Sequence, residues 1–202
     1  MPKLSLNIID KVTKQNVAAR VQILDSQGEF LSPKNPILKI GPGLPFFYSD
    51  GSVECDVPRG PLQVLVERGT EYIPNIISID IANGKKNYVI EITKWSNLEG
   101  LGWHPGNTHI HYDEKEQNPD GRLQLDPRVE NLRMTAVSIL KRWDLEYATN
   151  KYAPGTLNEF STDDYYVQCG EENRHNANGS HEPGYGHIML LNIRNIVHPV
   201  SR

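Results

Sequence analysis

Apolar and polar residues alternate along most of residues 3 to 93, and this period of two constrains the fold more than any other feature of the sequence. A period of two places each apolar set on one face of a β-strand. Short strands at this spacing predict an all-β antiparallel sandwich of the Ig or prealbumin type. The alternating apolar residues are Leu4, Leu6 and Ile8; Val17, Ala19, Val21 and Ile23; Val53, Cys55 and Val57; Leu62, Val64 and Val66; Ile77, Ile79 and Ile81; and Tyr88, Ile90 and Ile92.

Residues that tolerate turn dihedral angles separate these runs. They are Asp25-Ser26-Gln27-Gly28, Asp50-Gly51, Pro58-Arg59-Gly60 and Asn83-Gly84. An Asn-Gly pair between two alternating runs is typical of a β-hairpin. The sequence therefore predicts a hairpin around Asn83-Gly84.

The pattern changes after residue 95, where several glycine and polar residues interrupt both the strand and the helix periods. We therefore predict two domains, a sandwich over residues 1–95 and an α/β domain over residues 96–202. In the second domain, strands are predicted over 108–111, 145–149, 165–169 and 188–193. Asp126-Pro127 is typical of a helix start. The apolar residues that follow at helical spacing are Val129, Leu132, Ala136, Val137, Leu140 and Trp143. A strand, helix, strand order predicts parallel pairing.

The composition excludes several classes of partner. The net charge is −4 and Lys and Arg form no cluster, so neither nucleic acid nor an anionic membrane surface is an expected partner. No apolar run approaches the ~20 residues of a membrane span. The alternating start is unlike a signal-peptide core, which favours a cytoplasmic location. Cys55 and Cys169 are far apart and are expected to be buried thiols.

All 7 histidines lie after residue 103, which directs attention to the second domain. His109 and His111 are two residues apart, so on a strand both imidazoles point to one face. Two neutral imidazoles in that arrangement can bind one Zn, Mn or Fe ion. The alternative is a pair of solvent-facing histidines on an edge strand.

Two further groups complete a candidate metal site. Glu172 follows Gly170 after an apolar strand, and we predict a turn there that presents its carboxylate at the strand end. His187 follows Gly186 at the start of the last predicted strand. The alternatives are an exposed acidic turn and a structural histidine. Asn107, Thr108 and Tyr112 flank the first two ligands and are candidates for groups that orient them.

These motifs together carry a family resemblance. The segment 102–111 (GWHPGNTHIH), Gly170-x-Glu172 and Gly186-His187 resemble the PHP-type metallohydrolases, in particular their carbaryl-hydrolase-like (CehA/McbA) branch. The first domain, with Asp50-Gly51 and Pro58-Arg59-Gly60 among its turns, looks like a carboxypeptidase-regulatory-like β-sandwich.

The resemblance implies a partial (β/α) barrel of the PHP type with a site for two or three metal ions. His109 and His111 would be ligands, Glu172 a bridging carboxylate and His187 a further ligand. Two features depart from the family pattern. Thr149-Asn150-Lys151 stands where an Asp-His pair is expected, and the segment after residue 95 is about half the ~200 residues of a full barrel. The chain therefore looks truncated relative to the family.

The function that the sequence favours is that of a divalent-metal-dependent hydrolase, or the N-terminal part of one, acting on a small-molecule substrate. In such enzymes the metal makes water nucleophilic near neutral pH, and the hydroxide attacks an ester, amide, carbamate or phosphoester. The alternative is a non-catalytic β-sandwich binding or structural module with a degenerate metal-domain remnant.

Overall fold

The computed structural model describes residues 1–39, 42–81, 87–113, 115–116, 118–140, 147–174 and 187–197. Over these residues the protein is mostly β, with three sheets and one α-helix. The chain divides into two compact units. The first comprises residues 1–103 with 125–131, and the second comprises residues 104–124 with 132–202. The domain division predicted near residue 95 stays a prediction.

The described residues of the first unit form nine strands in two sheets. Strand order is β5-β1-β9-β7 in one sheet and β3-β2-β6-β8 in the other, with β4 also paired to β2. The strands are β1 (Lys3–Asp10), β2 (Ala19–Leu24), β3 (Phe30–Leu31), β4 (Phe47–Ser49), β5 (Ser52–Asp56), β6 (Pro61–Glu67), β7 (Tyr72–Ile73), β8 (Asn75–Asp80) and β9 (Asn87–Lys94).

The predicted alternation is confirmed by burial. In β1 the side chains of Leu4, Leu6 and Ile8 are fully buried, while the residues between them are more exposed. The alternating residues of the other runs join them in one apolar core, either fully buried or packed against it. Removal of this apolar surface from water is the main stabilisation of the unit.

Two predictions about the sandwich are wrong in detail. The first concerns strand direction, because β1 and β9 pair in parallel from Ser5–Asn87 to Asp10–Ile92, so the sandwich is not purely antiparallel. The second is the hairpin. Residues 83 and 84 lie outside the described residues, but β8 and β9, on either side of them, belong to different sheets. Strands β8 and β9 are therefore not partners, and a local Asn-Gly signal does not distinguish this arrangement from a hairpin.

A buried arginine binds the 125–131 segment within the first unit. The Arg68 guanidinium donates hydrogen bonds to the carbonyl of Ala18 at 2.5 Å, to the carbonyl of Arg128 and to Asn131 Oδ1 at 2.8 Å. Arg68 is only 5% exposed and its charge also lies over the ring of Tyr72. A buried guanidinium is tolerated because oxygen acceptors replace the lost hydration.

The second unit is built on three parallel strands, β10 (Gly106–Ile110), β11 (Met134–Ile139) and β13 (Tyr166–Arg174). Strands β12 (Gly155–Thr156) and β14 (His187–Leu190) pair with β13 in antiparallel fashion. The parallel pairing expected from a strand, helix, strand order is therefore present for β10 and β11. One face of this sheet packs into a second apolar core that includes Tyr112, Leu123, Val137, Val167 and Cys169.

The helix lies earlier than predicted. Helix α1 (Pro119–Val129) begins with Pro119, and Asn118 Oδ1 accepts a hydrogen bond from the backbone N–H of Gly121 at 3.0 Å. The capping residue and the proline at the first helical position are therefore Asn118 and Pro119. Pro127 lies inside the helix near its end. Asn131, with φ of 54°, follows the helix in the left-handed conformation.

The residues assigned to the rest of the predicted helix form β11 instead. Ala136 and Val137 are fully buried, as is usual for the central strand of a parallel sheet. Their helical spacing was a coincidence within a buried, mostly apolar run, which periodicity alone does not assign to a helix or a strand. Trp143 and the start of the predicted strand over 145–149 lie outside the described residues. Residues Ala148–Lys151 form a 3₁₀-helical turn and not a strand.

The barrel prediction receives only partial support. The described residues of the second unit contain three parallel strands, and they do not form a (β/α) barrel. Within the described part of the chain, no helix is long and apolar enough to cross a membrane. Cys55 and Cys169 are buried free thiols, as predicted.

The buried arginine gives a stability prediction. Replacing Arg68 with Met should lower the free energy of unfolding by about 3 kcal/mol, because two buried carbonyls and one side-chain amide lose their donor. Urea denaturation followed by circular dichroism measures the change. The control is Arg59→Met, at an exposed turn position, which should change stability little. Equal stability of the two variants would contradict the proposed role of Arg68.

Candidate metal site

The strand order brings the predicted ligands to one edge of the second unit. His109 lies near the end of β10 and His111 directly follows it, whereas Glu172 lies in the last third of β13. Because β10, β11 and β13 are parallel, their carboxyl ends open at the same edge of the sheet. His187 begins β14, which runs antiparallel to β13 and so starts at that edge.

The four side chains meet around the Glu172 carboxylate. His109 Nε2 lies 3.1 Å from Glu172 Oε2, and His111 Nε2 contacts the same oxygen. His187 Nδ1 lies 2.8 Å from the other oxygen, Oε1. The rings of His109 and His111 meet edge to face, with centroids 4.9 Å apart. The two histidines therefore share one face, as the spacing predicts.

Burial differs sharply across the cluster. The Glu172 side chain is 0% exposed, whereas those of His109 and His187 are 46% and 49% exposed. A fully buried carboxylate is strongly disfavoured unless a cation or hydrogen-bond donors compensate its charge. The carboxylate therefore lies at the bottom of the cluster beside the largely buried His111, and the imidazoles of His109 and His187 lie on its solvent side.

The donor set fits a divalent metal ion. Ligand atoms of His109, His111 and Glu172 lie within 4.8 Å of one another. Two ligand atoms on one tetrahedral zinc ion are about 3.3 Å apart, so modest movement of side chains satisfies one ion. Imidazole nitrogen and carboxylate oxygen are common ligands of Zn, Mn and Fe. His187 stands apart from this group of three because it contacts the opposite carboxylate oxygen.

The predicted turn at Gly170 is wrong. Strand β13 continues unbroken from Tyr166 to Arg174, so Glu172 is presented by a strand and not by a turn. The glycine is needed for a different reason. A Cβ atom at position 170 would collide with the backbone carbonyl of Leu190, so Gly170 permits the close approach of the chain at the end of β14.

The two adjacent glutamates have different partners. Glu172 contacts the histidines, while Glu171 Oε2 accepts a hydrogen bond from the backbone N–H of Val197 at 2.7 Å. Neighbouring side chains of a strand point to opposite faces. Only Glu172 therefore enters the cluster, although its role as a metal ligand stays a prediction.

The residues proposed to orient the ligands occupy different environments. Asn107 Oδ1 accepts a hydrogen bond from the backbone N–H of His109 at 3.0 Å, and Thr108 is exposed. Tyr112 is buried in the apolar core, because it points to the face of the sheet opposite His111. Its placement beside the ligands therefore needs correction, since the alternation of the strand turns it away.

Sequence reasoning missed Tyr147, whose ring packs against that of His111 with centroids 4.9 Å apart. An isolated bridge to Asp113 holds Tyr147 in place. No local pattern in the sequence singles out this tyrosine, because the contact depends on the return of the chain after β11.

The family resemblance leads us to expect an Asp-His pair at residues 149–151. Among the described residues, this segment supplies no metal ligand. Thr149 Oγ1 donates to the carbonyl of Ser138, and the Asn150 amide makes two hydrogen bonds with the backbone of Leu140. These side chains therefore serve the local backbone. Cys169 is also unsuited to bind a metal here, because burial raises the pKa of its thiol to about 11.

Comparisons with known proteins identify no family. No protein-family model and no curated protein matches the sequence. Among solved structures, the group B streptococcus pilus 2b backbone protein matches with a TM-score of 0.36 and 15% identity, over 48% of this chain and 42% of that one. BcpA, the major pilin subunit of Bacillus cereus, matches with a TM-score of 0.32 and 16% identity, over 46% and 29%. The chain thus spans less than half of either pilin, and likeness this distant assigns no family or function.

The role of Gly170 is testable. Replacing it with Ala should destabilise the second unit by about 2 kcal/mol, because the new methyl group overlaps a backbone carbonyl and must displace it. Thermal unfolding followed by circular dichroism measures the loss. A variant with unchanged stability would show that the chain near Leu190 does not approach β13 as described.

Proposed function

We propose that this chain holds a divalent transition-metal ion and acts as a metal-dependent hydrolase, or as the N-terminal part of one. The observation that carries the proposal is the fully buried Glu172 carboxylate contacted by three imidazole side chains. Carboxylate oxygens and imidazole nitrogens together form a binding site for a cation. The resemblance to PHP-type metallohydrolases supports the same assignment.

In this proposal His109, His111 and Glu172 hold one ion. His187 contacts the second oxygen of Glu172 and would supply a further ligand. Zn, Mn and Fe are the candidate metals, since each accepts both imidazole and carboxylate ligands. Asn107 fixes the backbone of His109 and so restricts where its imidazole can point.

The chemistry follows from the exposure of the ligands. When bound, an ion of this kind supplies Lewis-acid activation of water and of a carbonyl or phosphoryl oxygen. The half-exposed rings of His109 and His187 leave the solvent side of the site accessible to a small molecule. The buried carboxylate below them supplies negative charge that offsets the charge of the ion. An ester, amide, carbamate or phosphoester is the proposed substrate class.

A second candidate function is that of a non-catalytic binding or structural module that retains a metal site. The central strand β11 ends at the buried residue Ile139 and is followed by buried Leu140, so the described residues at that strand end offer no charged or imidazole ligand. Thr149 and Asn150 are likewise engaged with backbone groups. The ligands found among the described residues suit metal retention as well as catalysis.

Metal binding is the first test. The purified chain, stripped with a chelator and titrated with Zn²⁺ or Mn²⁺, should bind at least one equivalent. Replacing both His109 and His111 with Ala should abolish that binding while the first unit stays folded. The matched control is His104→Ala, an exposed histidine outside the cluster, which should bind as the wild type does. Unchanged stoichiometry in the double variant would remove the assignment.

Catalysis is tested separately. The metal-loaded chain should hydrolyse chromogenic aryl esters, carbamates or phosphoesters, and chelation should return the rate to background. Re-addition of metal should restore turnover in the wild type and in His104→Ala but not in the double variant. A chain that holds its metal and hydrolyses none of these substrates would favour the non-catalytic module.

A further inference from the structure

A second set of polar atoms lies within the sheet that carries the site. Two side-chain hydroxyls of the central strand β11, those of Thr135 and Ser138, are fully buried. Neither has a hydrogen-bond partner among the described residues. Burying a hydroxyl without a hydrogen-bond partner lowers the stability of the fold by about 1–3 kcal/mol, so each such group requires an explanation.

The register of the sheet shows which face each hydroxyl occupies. Val137 pairs with Ile110 on one side and with Cys169 on the other, and all three contribute to the second apolar core. Side chains of directly paired residues share a face, and neighbours along a strand alternate. Thr135 lies two residues before Val137 on the same strand and therefore faces that apolar core.

Ser138 faces the other way. It pairs with Gly170 of β13, and it follows Val137, whose partner Ile110 precedes His111 on β10. The face that carries Ser138 is therefore the face that carries His111 and Glu172. Since Gly170 has no side chain, the next side chain along that face of β13 is Glu172 itself. Ser138 thus lies on the strand between the two histidines and the carboxylate.

We propose that Ser138 is a positioning residue of the metal site. Its hydroxyl hydrogen-bonds a water molecule or substrate oxygen that is held at the ion bound by His109, His111 and Glu172. The inference rests on the proposed metal binding and adds to it the contribution of the central strand. It also accounts for a polar side chain at a fully buried position between apolar neighbours, Val137 and Ile139.

The test uses cobalt, whose visible spectrum reports on the groups around it. The full chain, stripped of metal, is titrated with Co²⁺ as wild type, Ser138→Ala and Thr135→Val. Thr135→Val is the matched control because it removes a buried hydroxyl from the opposite face of the same strand. We expect all three chains to bind the same number of ions. Only Ser138→Ala should bind them about tenfold more weakly and with an altered visible spectrum, as for other groups that orient metal ligands.

A second pair of variants covers the case in which Ser138→Ala does not fold. Ser138→Thr keeps the hydroxyl and should bind Co²⁺ with the wild-type affinity and spectrum, whereas Ser138→Val, which has the shape of Thr without the hydroxyl, should not. Ser138→Ala with wild-type affinity and spectrum, or Ser138→Val with those of Ser138→Thr, overturns the role of Ser138 alone. A wild-type chain that binds no Co²⁺ overturns the proposed metal site together with it.

Discussion

The parallel pairing of β11 with β13 is the constraint on which the second unit depends. Six paired residues, from Met134–Tyr166 to Ile139–Glu171, fix the register of the two strands. That register places Val137 and Cys169 in the core and leaves Glu172 on the opposite face, within reach of the histidines from β10. A shift of one residue would reverse every side chain and bury the carboxylate among apolar groups. The candidate site therefore depends on strand register more than on any single ligand.

The sandwich could be predicted from the sequence because each of its strands buries one face and exposes the other. In such a strand apolar and polar residues alternate along the sequence. Leu4, Leu6 and Ile8 show this for β1. The direction of pairing is not recorded in the same way, so the parallel contact of β1 with β9 was missed. Asn83-Gly84 shows the same limit. A turn signal identifies where a chain reverses, but the choice between pairing and crossing to the other sheet depends on the packing of distant strands.

In the second unit, the positions of the candidate ligands could be anticipated from spacing, and their surroundings could not. His109 and His111 needed only the geometry of a strand to be placed on one face. Two pairs of a capping residue and a proline, Asn118-Pro119 and Asp126-Pro127, could each mark the start of the helix. The helix begins at the first of them. The strand β11 is buried on both faces and so carries no period of two, which is why its apolar run also matched a helix. Ser138 and Tyr147 became visible only through pairing and packing across the sheet.

The parallel contact between β1 and β9 also determines how the first unit responds to mechanical load. The two strands run in the same direction through six paired residues, from Ser5–Asn87 to Asp10–Ile92. Tension applied between Lys3 and Lys94 pulls these strands along their length in opposite directions. Every hydrogen bond of the ladder then bears the force at once, as a shear. In an antiparallel hairpin pulled from its two ends, the bonds would instead open one after another. The sandwich is thus built to resist extension along its first and last strands.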